Sequence, residues 1–465
     1  MPDATGSAVC CTGEKYDTMN LMFSDSSLPP LIPHFPMSTR REFLKAATVA
    51  GAALSSLSIA RSAHAQGSGT IKVGLVGSGG RGLGAAHQAL STGEDVKLVA
   101  IGDYFKGRAK AGLEGLRNAF PDQVDVPEPR VFDGFQNDIG VTSSGADVVL
   151  IACAAKFHPL YAKRALDAGK HVFAEKPNAI DAAGIKMLEE CVATAKEKNL
   201  CFLAGLHSRF CPQYQATVEK VHEGAIGDVR MIQSTFLRSP YGVRGYPADM
   251  SELDVQVFNQ YMFRWLSGDD FTQSLVHNVD RMTWLLGGRT PTHAFGMGGR
   301  SSMTERQYGD VFDHHGSVFH YPQDACRLFA FCRTTTGCYD SYDDIIFGTK
   351  GTAYWNDSRI VGETNWKYDG PHAGGHGEEQ AALFNAIRKG ERLHSDDYIV
   401  KSTTVAVLGQ VAAYTGKMIG WQEMLDSNFV FKPAPEECVA GMDPPVVPGS
   451  NGSYPVPIPG RHTWW

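Results

Sequence analysis

Apolar residues in this chain gather into two kinds of segment that take turns. Short unbroken runs rich in β-branched residues, IKVGLV (71–76), DVKLVAIGD ending at Asp103, ADVVLIACA (146–154), KHVFAEKP and LCFLAGL, are separated by longer stretches with helical spacing. Those stretches are GLGAAHQALS, KGRAKAGLEGLRNAF up to Pro121, PLYAKRALDAG closed by Gly169, and DAAGIKMLEECVATAKEKN with Asp181 placed to cap it. Strands that are apolar on both faces must be covered on both faces. The alternation therefore predicts a Rossmann-type α/β fold with a doubly wound parallel sheet over residues 70–207.

From residue 208 the pattern changes. VRMIQSTFLR, HGSVFHYP and CRLFAFCRT read as strands, a helix is expected over 270–286, and HGEEQAALFNAIRKG and TTVAVLGQVAAYTGKMIG read as two late helices. This predicts an α+β domain over 208–432 with a mainly antiparallel sheet. Residues 433–465 are rich in Pro and Gly, which suits an extended arm over a neighbouring surface or a disordered end.

The N-terminal region has a different logic. Arg40 and Arg41 precede AATVAGAALSSLSIA, which ends at Ala63-His64-Ala65: a basic segment, an apolar run too short to span a bilayer, and a small-residue cleavage site. Paired arginines address such signals to the twin-arginine exporter, so residues 37–65 are expected to be a signal peptide cleaved after Ala65 and the protein to be periplasmic or otherwise extracytoplasmic. Residues 1–36 carry no periodicity and are an unstructured leader or lie upstream of a true start at Met37. No other segment is apolar for long enough to cross a membrane.

Charged residues make up 20% and hydrophobic residues 43%, as in ordinary globular proteins, and the net charge of -7 gives no footprint for nucleic acid. The ten cysteines form no CxxC pair. His314, His315 and His320 would split between the two faces of a strand, so no metal site is expected from them or from the cysteines.

Gly77, Gly79 and Gly82 supply the GxGxxG spacing between a strand and a helix, in a loop that also contains Gly80 and Arg81. The first glycine allows the tight turn, the second lets backbone amides approach a pyrophosphate, and the third lets the helix pack closely. Asp103, at the end of the next strand, stands where a ribose hydroxyl would be bound and favours NAD, since a carboxylate repels a 2'-phosphate. Arg81, Lys106 and Arg108 are near enough in sequence to leave NADP open.

With VGLVGSGGRG, the loop from Ala152 to His158, AGKHVFAEKP and GAIGDVRMIQSTF, the chain resembles the Gfo/Idh/MocA family of glucose-fructose oxidoreductases and inositol 2-dehydrogenases over most of residues 70–420. The resemblance implies that Glu175-Lys176-Pro177 lies beside the nicotinamide, with Lys176 at the reacting hydroxyl. Ala152, His158 and Glu175 would line the cofactor, although His158 can equally cap the helix that follows it. It also implies an open-faced second sheet that often carries the subunit interface, hence a homodimer or homotetramer.

Within FTQSLVHNVDR, Gln273, His277, Asp280 and Arg281 are spaced to share a helix face. The resemblance maps His277 onto a catalytic histidine and puts Gln273 where the family usually has an acid; an amide cannot titrate. Asp280 is expected to pair with Arg281 or to hold the helix. Arg209 and Tyr241 are weaker candidates for the edge of a substrate site, the latter in a loop whose aromatic faces suit pyranose rings. The expected activity is NAD(P)-dependent hydride transfer with a sugar, glycoside or cyclic polyol, with a tightly held and internally recycled cofactor. Two alternatives are glycoside cleavage through transient oxidation and elimination, and a non-catalytic dinucleotide-binding protein.

Overall fold

The computed structural model describes residues 69–247, 249–322 and 325–461. The leader, the paired arginines and the cleavage site fall outside the described residues.

The first sheet is built from β1 (Ile71–Val76), β2 (Val96–Gly102), β3 (Val131–Phe132), β4 (Val148–Ile151), β5 (His171–Ala174) and β6 (Phe202–Ala204). All its pairings are parallel and the strand order is β3-β2-β1-β4-β5-β6. Helices Gly80–Leu90, Lys106–Ala119, His158–Asp167 and Ala182–Glu197 fill the crossovers as the periodicity requires. Asp181 caps the last of these by accepting from the Gly184 amide at 2.8 Å. Gly169, at φ +75°, follows the third. The order reverses between β1 and β4, and the loops leaving these two strands diverge to open a crevice.

The second sheet has nine strands in the order β14-β13-β12-β11-β7-β10-β9-β8-β15. They are β7 (Val229–Arg238), β8 (His293–Gly299), β9 (His314–Tyr321), β10 (Cys326–Thr334), β11 (Ser341–Gly348), β12 (Gly351–Tyr354), β13 (Arg359–Gly362), β14 (Trp366–Lys367) and β15 (Ile419–Gly420). It is antiparallel except where β10 runs parallel to β7. One face packs on helices Val276–Leu285 and Ile399–Thr415. The other leaves Met231, Phe295, Met297 and Phe331 exposed, so the sheet is open-faced as expected.

One expectation needs correction. Helix His376–Lys389, assigned by sequence to the second domain, inserts Leu383 and Phe384 into the core of the first sheet beside helix Gly80–Leu90. The tail, over its described residues to 461, takes the first of its two expected forms, an extended arm, and it crosses more than one surface. Phe431, Cys438 and Tyr454 are buried, and the backbone passes from Asp181, which accepts from the Phe431 amide at 3.0 Å, to Thr415, whose carbonyl accepts from the Gly460 amide at 2.9 Å. Residues 427–461 thus strap both sheets together.

Candidate active site

The crevice begins at the glycine loop. Gly77 has φ +90°, and a Cβ there would lie 2.5 Å from the Cys153 amide nitrogen; a Cβ on Gly82 would lie 1.8 Å from the Gly77 carbonyl oxygen. Both positions therefore exclude any side chain. Gly79 and Gly80 face open space at the start of helix Gly80–Leu90, which has no side-chain cap and no acidic residue in its first turn. Free amides, the positive helix end and room for close approach fit the pyrophosphate of a dinucleotide.

Asp103 is buried at the end of β2, where its carboxylate accepts from Ser78 N at 2.8 Å, Ser78 Oγ at 3.1 Å and Phe105 N at 3.0 Å. It fixes the glycine loop, and a carboxylate's fourth lone-pair site leaves room for a ribose hydroxyl. Arg108 Nη1 stands 3.7 Å from the same carboxylate. The edge of this ribose position is covered by helix Glu252–Phe258. The Tyr104 hydroxyl donates to Asp254 at 2.7 Å, and Arg108 and Arg244 lie over the Phe258 ring at 5.4 and 4.9 Å.

Deeper in the crevice, Arg81, Ala152, His158, Glu175, Lys176, Tyr261 and Gln273 line one cavity. Lys176 leaves the end of β5 and its Nζ donates to the Gln273 carbonyl oxygen at 2.7 Å. The buried Glu175 carboxylate accepts from Arg81 Nε at 2.5 Å, joining the glycine loop to the Glu-Lys-Pro segment. His158 is buried with Nδ1 2.8 Å from the Pro177 carbonyl and Nε2 3.1 Å from that of Cys153. It lines the cavity and also bridges the loops after β4 and β5, while burial pushes its pKa down.

Gln273 lies in a single π-helical turn, Phe271–Leu275, which runs into helix Val276–Leu285. Such turns shift the faces of a helix at functional sites. His277 follows, its Nδ1 buried without a partner. Burial, then the charges of Lys176 and its neighbours, hold its pKa well below the ordinary histidine value.

Of the two roles expected for Asp280, the pair with Arg281 does not form and the hold on the helix does. Asp280 accepts from Arg209 at 2.8 Å and from Ser402 Oγ at 2.7 Å, while Arg281 reaches the buried Asp344 at 2.7 Å. Arg209 is further enclosed by the Tyr398 ring at 3.8 Å and ties the helix to its surroundings. Tyr241 stands nearer the cavity: its ring lies 4.8 Å from that of Tyr261, and its hydroxyl is 3.2 Å from Ser274 Oγ.

Three residues were not anticipated. His207, just past β6, packs edge-on against His277 at 5.0 Å and, tilted by 36°, against His376 at 4.1 Å, measured between ring centroids. His376 Nδ1 lies 3.2 Å from the wholly buried Glu379, one helical turn on. Burial lowers both histidines to about 4. Burial, with the Glu175 charge beside it, raises Glu379 well above the usual carboxylate range. The available signals were the position of His207 at the carboxyl end of a parallel strand and the His-x-x-Glu spacing after a glycine-rich turn.

Fold and crevice together define a dinucleotide-binding α/β domain joined to an open-faced sheet. Residues 71–206 match the family model GFO_IDH_MocA, described as an oxidoreductase family with an NAD-binding Rossmann fold. The chain is 29% identical over 219 residues to an inositol 2-dehydrogenase of Rhizobium meliloti (strain 1021), covering 47% of this chain and 56% of that protein. It is 26% identical over 207 residues to the Serratia proteamaculans (strain 568) enzyme of the same name, covering 44% and 57%. The match thus spans little more than half the length of these relatives.

Two solved structures share the fold. Scyllo-inositol dehydrogenase from Lactobacillus casei, with NAD(H) and scyllo-inositol bound, has a TM-score of 0.57 at 21% identity, covering 76% of this chain and 99% of that one. Aldose-aldose oxidoreductase from Caulobacter crescentus, complexed with glycerol, has a TM-score of 0.58 at 17% identity over the same shares.

Proposed function

We propose that the chain is an NAD-dependent oxidoreductase acting on a hydroxyl of a sugar, glycoside or cyclic polyol. The observation that carries the proposal is the placement of Lys176. Its ammonium is fixed on a main-chain carbonyl, inside the crevice that begins at the glycine loop and close enough to His277 to depress its pKa. The inositol 2-dehydrogenases among the relatives support the substrate class. Gly77, Gly79, Gly80, Arg81, Gly82 and Asp103 would hold the dinucleotide, and the bound nicotinamide supplies the hydride chemistry.

Lys176 takes up or returns the hydroxyl proton, and its position is set by Gln273 through the backbone. His277 rests neutral and offers Nδ1 or Nε2 as a second proton acceptor. Glu175 orients Arg81 toward the glycine loop. Tyr241 and Tyr261 offer aromatic faces to a sugar ring.

A redox-neutral cycle, including glycoside cleavage by oxidation and elimination, is favoured over net oxidation by helix Glu252–Phe258, which closes over the ribose position. Export by the twin-arginine route belongs to the same reading, because an enzyme working outside the cytoplasm must keep its cofactor. Full-length chain purified without added nucleotide is expected to carry about one NAD per chain after dialysis. Deuterium at the reacting carbon of an inositol or glycoside is expected to pass to that nucleotide. Extraction and mass analysis read both, and the absence of label transfer from every inositol, aldose and glycoside tried would sink the assignment.

A further inference from the structure

Glu379 is an anomaly in the first turn of helix His376–Lys389. Its side chain is wholly buried and its Oε2 has no hydrogen-bond partner. The nearby cation, Arg81, is engaged by Glu175 Oε1 at 2.5 Å and by Gln88 at 2.7 Å. Glu175 Oε2 makes one long contact, with Lys176 N at 3.3 Å. One donor atom from each of Glu175, His376 and Glu379 falls within 4.8 Å of the others. His376 Nδ1 and Glu379 Oε1 are 3.2 Å apart, near the ligand-to-ligand edge of about 3.3 Å that metal bonds of about 2.0–2.1 Å produce.

We propose that Glu175, His376 and Glu379 bind a divalent first-row transition cation at the floor of the crevice. One imidazole and two carboxylates form a mixed set of borderline hardness, suited to Zn²⁺, Mn²⁺ or Fe²⁺ rather than to the all-oxygen cations. Three protein ligands leave a coordination position for water. The unpaired buried carboxylate gains the positive partner that burial demands, and ligands that were protonated release their protons to solvent. The ion would tie the helix that covers the glycine loop to the residue preceding Lys176. This departs from the expectation of no metal, which considered the histidines of β9 and not the His-x-x-Glu turn.

The test counts metal and does not depend on turnover, so it succeeds or fails independently of the oxidoreductase assignment. Full-length chain is analysed for Zn, Mn and Fe by plasma mass spectrometry as purified, then stripped with chelator and titrated with ZnCl₂ and MnCl₂ by calorimetry. The expected result is about one ion per chain. Binding should be weakened by more than the roughly 10- to 100-fold that loss of an outer-shell partner costs in both Glu379→Gln and His376→Asn, with circular dichroism unchanged. His376 is the more exposed ligand, so His376→Asn carries the test if the Glu379 variant does not fold. No saturable site for either ion at micromolar concentration, or binding that both substitutions leave intact, would overturn the proposal.

Discussion

Lys176 rests its ammonium on a peptide carbonyl, and this separates two tasks that a single acidic side chain would combine. Holding the lysine falls to the backbone of residue 273, and adjusting His277 falls to whatever side chain that residue carries. Replacing Lys176 with Met removes the proton carrier and keeps much of the apolar stem. Turnover is expected to fall by about two powers of ten or more, while the NAD carried per chain, read by extraction and mass analysis, stays close to that of the parent. Replacing Gln273 with Glu leaves the carbonyl in place and adds a negative charge one turn before His277. The pKa of His277, now depressed by burial and by Lys176, is expected to rise, and the matching limb of the kcat/KM profile to move to higher pH. An unmoved limb would mean that His277 does not govern the profile. Lys176 was legible at the end of β5 because a motif at a strand end fixes position through the sheet. Of the two roles expected for Asp280, holding the helix stands through Arg209, while the pairing that adjacent opposite charges invite with Arg281 is overridden by the Arg209 and Asp344 geometries.

Elements were legible where burial alone defines them. The runs of β1, β2, β4 and β5 are apolar because both faces are covered, and each was readable as a strand before any pairing was known. β3, of two residues, and the glycine-bearing β8 are strands by virtue of their neighbours, so local pattern could not announce them. The helix across 271–285 was expected, but its π-helical opening was not, since a single irregular turn leaves no periodic trace. The turn before β9 depends on a charge. Buried Asp313 accepts from the amides of Ser301, Ser302 and Met303 at 2.8, 2.6 and 3.0 Å. Burial pushes its pKa up, but those amides and His314 outweigh it and hold the carboxyl well below the ordinary value. A depressed carboxylate stabilises the fold above its unfolded pKa of about 3.9, and that contribution is lost as pH falls toward the folded value. Asp313→Asn is therefore expected to lower the melting temperature at pH 7, and the gap to the parent to narrow below about pH 4. A gap independent of pH would show that the contribution is not ionic.

At the scale of the whole molecule, the open sheet face presents Met231, Phe295, Met297 and Phe331 together, an apolar surface of the kind that marks an interface. Light scattering is expected to give a dimer or tetramer, and Met297→Lys with Phe331→Lys to shift it toward monomer. A monomeric parent would contradict this. The strap of residues 427–461 has a consequence in time as well as in space. It holds the helix over the ribose position, since Gln256 donates to the Val446 carbonyl at 2.6 Å and the Tyr454 hydroxyl donates to Glu252. Every residue of the strap is synthesised after the crevice it helps to close. A ribosome adds about 5–20 residues per second, so a nascent chain passes through an interval in which the glycine loop and β5 exist and the cover is not yet fastened. If the cofactor is retained as proposed, nucleotide entering during that interval would be enclosed by the chain's own completion, and translation itself would be the loading step.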